Sequence, residues 1–350
     1  MLYWINFIII ALFFCFISTD KKLNPNIRKF AQICLITVVV YFAAFRDGLG
    51  QDYDGYHDLL INGYFNEYTL KEPGFSVFSN IVYFTELSPV FFFLMMALMT
   101  NYLFINSFYR YNNTFLIIFI YLTGSIFYFN TFNLVRQMGA ASLFMYSIRF
   151  VENRKFLHYV FCVLLAATFH ISAIFLLPFY FIINRLYSNK LLINVLVVSY
   201  IVGQILKIDL TSFLAQYFTL YYWYFEEEVT LVNESGYLTL FFNLVLILLI
   251  FYKKRNEDVQ YKIVFNLFFI GVLLYNLMPS FYFIFRFATY FIVFAPIVLP
   301  SLEKIFPKRV WAFILILGFG AMFIFTLYSS LDNSKIIPDT ILNLESVFDH

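Results

Sequence analysis

His170 is the one histidine of four that falls inside a long apolar run, in Phe169-His170-Ile171-Ser172. An imidazole titrates near neutral pH and suits proton transfer, and an ionisable side chain at membrane depth reads as functional by default. A packed, hydrogen-bonded core histidine is the plainer alternative. Arg136 and Arg286 stand in comparable settings. A guanidinium at the centre of a membrane helix costs about 2.5–3.5 kcal/mol on insertion scales, so each needs a partner, water or a task. The task that fits the group is pairing with a phosphate or diphosphate through its planar fork of N–H donors. For Arg136, which precedes Gln137 and the small-residue run Gly139-Ala140-Ala141-Ser142, the alternative is reach to the headgroups. For Arg286, with Tyr282 and Tyr290 at i−4 and i+4 on one helix face, the alternative is a structural pair.

A second group of polar residues lies nearer the N-terminus. Arg46-Asp47-Gly48-Leu49-Gly50-Gln51-Asp52-Tyr53-Asp54-Gly55-Tyr56 and Glu72-Pro73-Gly74-Phe75 set carboxylates beside aromatics. That mixture suits hydroxyl-rich ligands, and also ordinary solvated turns. Asp52 is a second candidate base after His170. Tyr53, Tyr56 and Trp223, the last within Tyr221-Tyr222-Trp223-Tyr224, offer rings for stacking on sugars, and the Trp223 stretch equally suits an interfacial belt. Asp52-Tyr53-Asp54 has the form of the Asp-x-Asp metal motif of nucleotide-sugar glycosyltransferases. That motif needs a strand-rich soluble fold, so no metal is expected. Arg46 and His57 stand in the Arg-x10-His spacing of membrane-bound acyltransferases, but Gly48, Gly50 and Gly55 interrupt the helix that pattern requires.

The elements that must position these residues follow from composition. Of 350 residues, 62% are hydrophobic and 13% charged, with mean hydropathy +0.79. Soluble domains carry roughly a quarter charged residues, so a soluble enzyme and a nucleic-acid binder are excluded. The expected fold is all-α and polytopic, a single membrane domain over residues 1–350 with about ten to twelve transmembrane helices at roughly 20 residues per crossing. Apolar runs place them near 2–18, 30–45, 90–109, 114–129, 132–150, 191–208, 237–252, 262–278, 283–300 and 310–328. The run 156–183 is too long for one upright crossing and carries His170 near its middle. Charge parity puts both its ends on the basic face, so it reads as a helical hairpin, either two short crossings or a re-entrant pair turning near His170. Cys15, Cys34 and Cys162 lie in apolar runs and imply no disulfide framework.

Charge sets the sidedness. All but six of the 23 Lys and Arg residues (Arg46, Lys71, Arg136, Lys207, Arg286 and Lys335) fall on one face, and all but five of the 21 Asp and Glu residues (Asp20, Glu152, Glu257, Asp258 and Glu303) fall on the other. The basic face reads as cytoplasmic, with both termini outside. Two outer loops, 46–89 and 209–236, are then long enough to do chemistry, and an active site opens outward.

Taken in order, Arg46…Gly50-Gln51-Asp52-Tyr53…Tyr56, Glu72-Pro73-Gly74-Phe75, Leu134-Val135-Arg136-Gln137, Asn153-Arg154-Lys155, Phe169-His170-Ile171-Ser172-Ala173 and Arg286…Tyr290 resemble the EpsG/Wzy-type polysaccharide polymerases, over residues 46–300. The resemblance implies polymerisation of oligosaccharide repeat units carried on undecaprenyl diphosphate, at the outer face of the bacterial cytoplasmic membrane. It implies an enzyme without metal or cofactor, since the donor brings its own leaving group. The partners it implies are the lipid-linked oligosaccharide, membrane lipid, and a flippase and chain-length regulator, with no nucleic acid. On this reading His170 or Asp52 is the base. Arg46, Arg136 and Arg286 face the diphosphate, Tyr53, Tyr56 and Trp223 stack on sugar rings, and Glu72, Gln137 and Tyr290 are further substrate-binding residues. The competing classes are a lipid-linked oligosaccharide flippase, an O-antigen ligase and a membrane O-acetyltransferase.

Overall fold

A computed structural model of the chain describes residues 2–46, 48, 50, 53–63, 71–203, 236–251, 258–277 and 282–332. Among them there are helices and turns and no strand. Five helical segments are long and apolar enough to cross a membrane: Pro25–Ala44, Val90–Phe108, Val259–Leu277, Arg286–Glu303 and Lys308–Tyr328. Shorter apolar helices cover Tyr3–Thr19, Thr114–Thr123, Phe156–Phe169, Ile171–Ile182, Asn189–Ile201 and Leu238–Ile250. The chain is an all-α, multi-pass membrane protein. By contacts it divides into two compact units, residues 1–150, 155–177 and 307–350, and residues 151–154 with 178–306.

The first unit opens with α1 (Leu2–Thr19) and α2 (Pro25–Ala44), which pack on each other. Asn24 caps α2 by accepting from the Asn26 N–H, and Pro25 supplies the first-turn residue that needs no N–H. Then come α3 (Tyr53–Asn62), α4 (Pro73–Phe84), α5 (Val90–Phe108), α6 (Thr114–Thr123), α7 (Asn130–Asn133), α8 (Val135–Glu152) and α9 (Phe156–Phe169). Lipid tails are as apolar as leucine, so packing and hydrogen bonds between helices must hold such a bundle. Tyr128 Oη donates to the Val39 carbonyl (2.7 Å) and Tyr121 Oη to Asn101 Oδ1 (2.9 Å). The run Ala140-Ala141-Ser142 is fully buried on α8.

In this unit the segment expected as an outer loop, 46–89, carries α3 and α4 among its described residues. The span expected at 114–129 ends at Thr123: Gly124 leaves the helix for an extended conformation (φ −77°, ψ 122°). The chain then turns back, so that the Tyr128 N–H donates to the Tyr121 carbonyl. The break at His170 falls where the length of the run places it. α9 stops there, and a 3₁₀ turn over Ile171–Leu176 runs back alongside it until the Tyr159 hydroxyl donates to the Leu176 carbonyl (2.6 Å).

The second unit holds α10 (Phe179–Ile182), α11 (Asn189–Ile201), α12 (Gly236–Ile250), α13 (Val259–Leu277), α14 (Tyr282–Ile292) and α15 (Ala295–Val298). The span expected at 283–300 is interrupted after Ile292. Pro296 in the first turn of α15 lacks the N–H that a continuous helix would use there. Neutral amides tie these helices together. Asn276 donates to Ser199 Oγ (2.8 Å), and Asn243 donates to Asn276 Oδ1 (2.6 Å). Asn266 donates to the carbonyls of Ile183 and Arg185, at 2.8 Å each. Finally α16 (Lys308–Asp332) returns to the first unit, where it packs on α6 and Phe323 stacks on Phe129.

Candidate active site

Three residues far apart in the chain meet in the first unit. Glu72 precedes α4, but its carboxylate makes no capping bond to its own helix. It turns instead toward α8 and the end of α9. Arg136 donates to Glu72 Oε2 from a terminal guanidinium nitrogen (2.5 Å). His170 Nδ1 lies 3.0 Å from Glu72 Oε1, and the Ile171 N–H donates to the same oxygen at 3.1 Å. The Glu72 side chain is only 5% exposed, while those of Arg136 and His170 each keep 21%. A buried carboxylate therefore joins two groups that both reach accessible space.

Local sequence explains how each group arrives. Pro73 starts α4 directly after Glu72. Gly74 lets that start press against the end of α9, since a β-carbon at 74 would collide with the Thr168 hydroxyl and crowd the Phe169 ring. His170 is where α9 stops: its backbone is extended (φ −152°, ψ 112°), which frees the Ile171 N–H to point at the carboxylate. Arg136 is the second residue of α8, whose first turn contains no acidic residue. A cation at a helix N-terminus opposes the helix dipole, so an anion is favoured beside it. Here Glu72 fills that place. The guanidinium rests over the Phe75 ring (5.1 Å) and donates from Nε to Tyr56 Oη at 2.9 Å.

The electrostatics define which imidazole nitrogen is left to accept. Burial pushes the Glu72 carboxyl upward. The His170 hydrogen bond, the fields of Arg136 and His170, and the Ile171 N–H outweigh it, and the carboxyl sits below its usual range. An ionised Glu72 only accepts, so His170 Nδ1 carries a proton and donates it. In the neutral imidazole this leaves the lone pair on Nε2. The arrangement fixes the tautomer and orientation of the imidazole, as an acid–histidine pair does in a catalytic triad.

The other anticipated residues divide by place. Arg46 is 3% exposed and packs between the rings of Phe93 (4.5 Å) and Phe132 (5.2 Å). It borders a cavity of about 10 Å³ that Thr100 and Thr131 also line. Gly50 itself lies close against Phe132: its φ is +103°, and a β-carbon there would lie 2.6 Å from the Phe132 carbonyl. Tyr53 stacks on Phe93 (5.0 Å), and Tyr56 packs against Phe75 and Phe92. Both rings are turned to protein neighbours. Gln137 is buried beside Arg136 on α8. Arg286 and Tyr290 share α14 in the second unit, Tyr290 fully buried. Asp52 and Trp223, and with Trp223 the expected loop at 209–235, lie outside the described residues.

Sequence reasoning missed what binds Glu72. Read as a substrate-binding residue, it is the partner of both His170 and Arg136. Its place in Glu-Pro-Gly, a carboxylate just ahead of a proline-started helix, was the available signal. Phe75 under Arg136, and Phe93 with Phe132 about Arg46, gave no signal among so many aromatics. Among the described residues no cluster of three or more His, Cys, Asp or Glu could hold a metal ion.

Neither a curated protein nor a solved structure matches the chain. The sequence model of the EpsG family matches residues 29–341, a stretch that contains Arg46, Glu72, Arg136, His170 and Arg286. With most of its length covered, and with the helices and the polar cluster just described, the chain belongs to the EpsG family of polysaccharide-polymerase-like membrane proteins.

Proposed function

We propose that the protein joins oligosaccharide repeat units carried on undecaprenyl diphosphate, at the outer face of the cytoplasmic membrane, to make an O-antigen, capsule or exopolysaccharide. One observation supports this above the rest: a single buried carboxylate, Glu72, holds an oriented base, His170, and a fixed cation, Arg136, within reach of each other. Transfer of a lipid-diphosphate-linked glycan needs both. An acceptor hydroxyl attacks the anomeric carbon of the donor, and its proton passes to His170 Nε2. The anomeric carbon–oxygen bond breaks, and the electron pair leaves with the lipid diphosphate. Its growing charge is met by Arg136, which stays charged and presents a planar fork to phosphate. Glu72 stabilises the imidazolium that forms and keeps Nδ1 as donor. In this reading Asp52 is the alternative base, Arg286 a candidate anion ligand in its own unit, and Trp223 a sugar platform.

Deleting the gene tests the reading in a host that makes lipopolysaccharide. Repeats should still be exported and attached one at a time, so the ladder collapses to core plus a single repeat. An unchanged ladder contradicts polymerisation, and loss of every repeat from the surface points to a flippase. Polymer left on the carrier lipid points to a ligase, and a normal ladder with altered acetyl content points to an acetyltransferase.

A further inference from the structure

The second unit carries a groove unrelated to the cluster around Glu72. It has a volume of about 190 Å³ and runs between α11 and α13, lined chiefly by Ile182, Leu191, Leu192, Val195, Phe269 and Leu273, with Tyr187 and Asn266 at one end. The two polar linings turn their polar atoms away from it. Tyr187 Oη donates to the Ile182 carbonyl (2.9 Å), and Asn266 Nδ2 donates to the carbonyls of Ile183 and Arg185. What the walls present is carbon.

Cations mark one end. Asn266 pins the 183–185 turn to α13, which sets Arg185 at the Tyr187 end of the groove. Lys262 lies one turn before Asn266 on the same stripe of α13: 262, 266, 269 and 273 follow at helical spacing. Lys190 is in the first turn of α11, directly before the lining residues Leu191 and Leu192. Among the described residues none of these three cations forms an ion pair. Asp258, just ahead of α13, accepts the Gln260 and Tyr261 N–H groups at Oδ1. From Asn266 to Leu273 the groove extends roughly 10 Å along α13, away from the cations. Leu191 and Val195, at 47% and 37% exposure, leave its rim open.

We propose that this groove binds an anionic phospholipid, its phosphate between Arg185, Lys190 and Lys262 and one acyl chain against Val195, Phe269 and Leu273. Carbon walls alone would take any lipid. The three cations at one end select a negative headgroup, and they fix which way the chain enters.

The test uses the full chain purified in dodecyl maltoside, with bound lipid counted by native mass spectrometry. Dioleoylphosphatidylglycerol should be retained over dioleoylphosphatidylcholine by about tenfold or more, and the double change Arg185→Gln/Lys262→Gln should weaken the phosphatidylglycerol by roughly fivefold for each cation removed. Phosphatidylcholine binding should not move in that variant. Val195→Phe fills the groove and should weaken both lipids; if it fails to fold, Leu191→Ala takes its place and should also loosen both. Glycerol phosphate, which has the charge without the chain, should not compete. Equal retention of the two lipids overturns the proposal, as does a preference that survives loss of the cations. Competition by glycerol phosphate overturns the acyl-chain half of it.

Discussion

Each unit of the molecule buries a polar cluster among apolar helices, and the two are built from different chemistry. In the second unit Asn243, Asn276 and Ser199 are neutral and close on one another, with Asn276 fully buried. In the first, Glu72 is ionised and hidden while its partners Arg136 and His170 remain partly accessible. A neutral closed network costs little to bury and ties helices together. A charged cluster is expensive to bury, and this one leaves an imidazole and a guanidinium partly accessible at its edge. The neutral network suits holding helices together, and the charged cluster keeps ionisable groups within reach of a ligand. That contrast makes unequal predictions for the two sites.

The largest effect is expected at His170. His170→Gln keeps volume and some hydrogen bonding while losing the proposed base, so chain extension should fall by roughly 10²–10⁴ with protein level unchanged. Polymer length on a gel, read beside an immunoblot, checks it. Near-normal polymer would move the base to Asp52.

Arg136→Lys comes next. The charge stays, but the bond to Tyr56 and the planar fork are lost, so polymer yield should drop by about one to two orders of magnitude if donor diphosphate is met bidentately. A fully active lysine variant would make Arg136 a point charge or an anchor.

How much of this was readable beforehand depended on sequence separation. His170 stood out because it interrupts an apolar run, and the hairpin followed from the charge parity of the two ends of that run. Arg136 was visible as a cation against the charge bias. The bond between Glu72 and His170 crosses 98 positions, and neither hydropathy nor charge counting reports such a pairing. The break at Gly124 was hidden because the flanking residues stay apolar. Hydropathy registers what a segment is made of, whereas a helix ends where the backbone turns.

A smaller effect concerns pH. The Glu72 carboxyl is held below the ordinary 4.5, so the folded state binds its proton less readily than the unfolded chain. The stability this contributes is present in full above about 4.5 and disappears as pH falls through the lower folded-state value. Thermal unfolding in detergent should therefore show an acid-side loss that Glu72→Gln lacks. Matching profiles for the two proteins would mean that the carboxylate is not held by Arg136 and His170.

The smallest effect is expected in the neutral network. Asn276→Leu removes its bonds to Ser199 and Asn243, at about 0.6–1.7 kcal/mol each for hydrogen bonds between membrane helices. The unfolding midpoint should fall, while polymer made per folded molecule stays level. A loss of activity without a loss of stability would erase the distinction between the two clusters.

The coupling of Glu72 to His170 is tested most directly by a double-variant cycle on chain extension, with membranes supplied with lipid-linked repeats and rates compared for His170→Gln, Glu72→Gln and the pair. If Glu72 acts through the base, the double variant should be about as slow as His170→Gln alone, because residues that work as one unit are lost together. Losses that multiply would contradict the account, leaving Glu72 and His170 as neighbours with separate tasks.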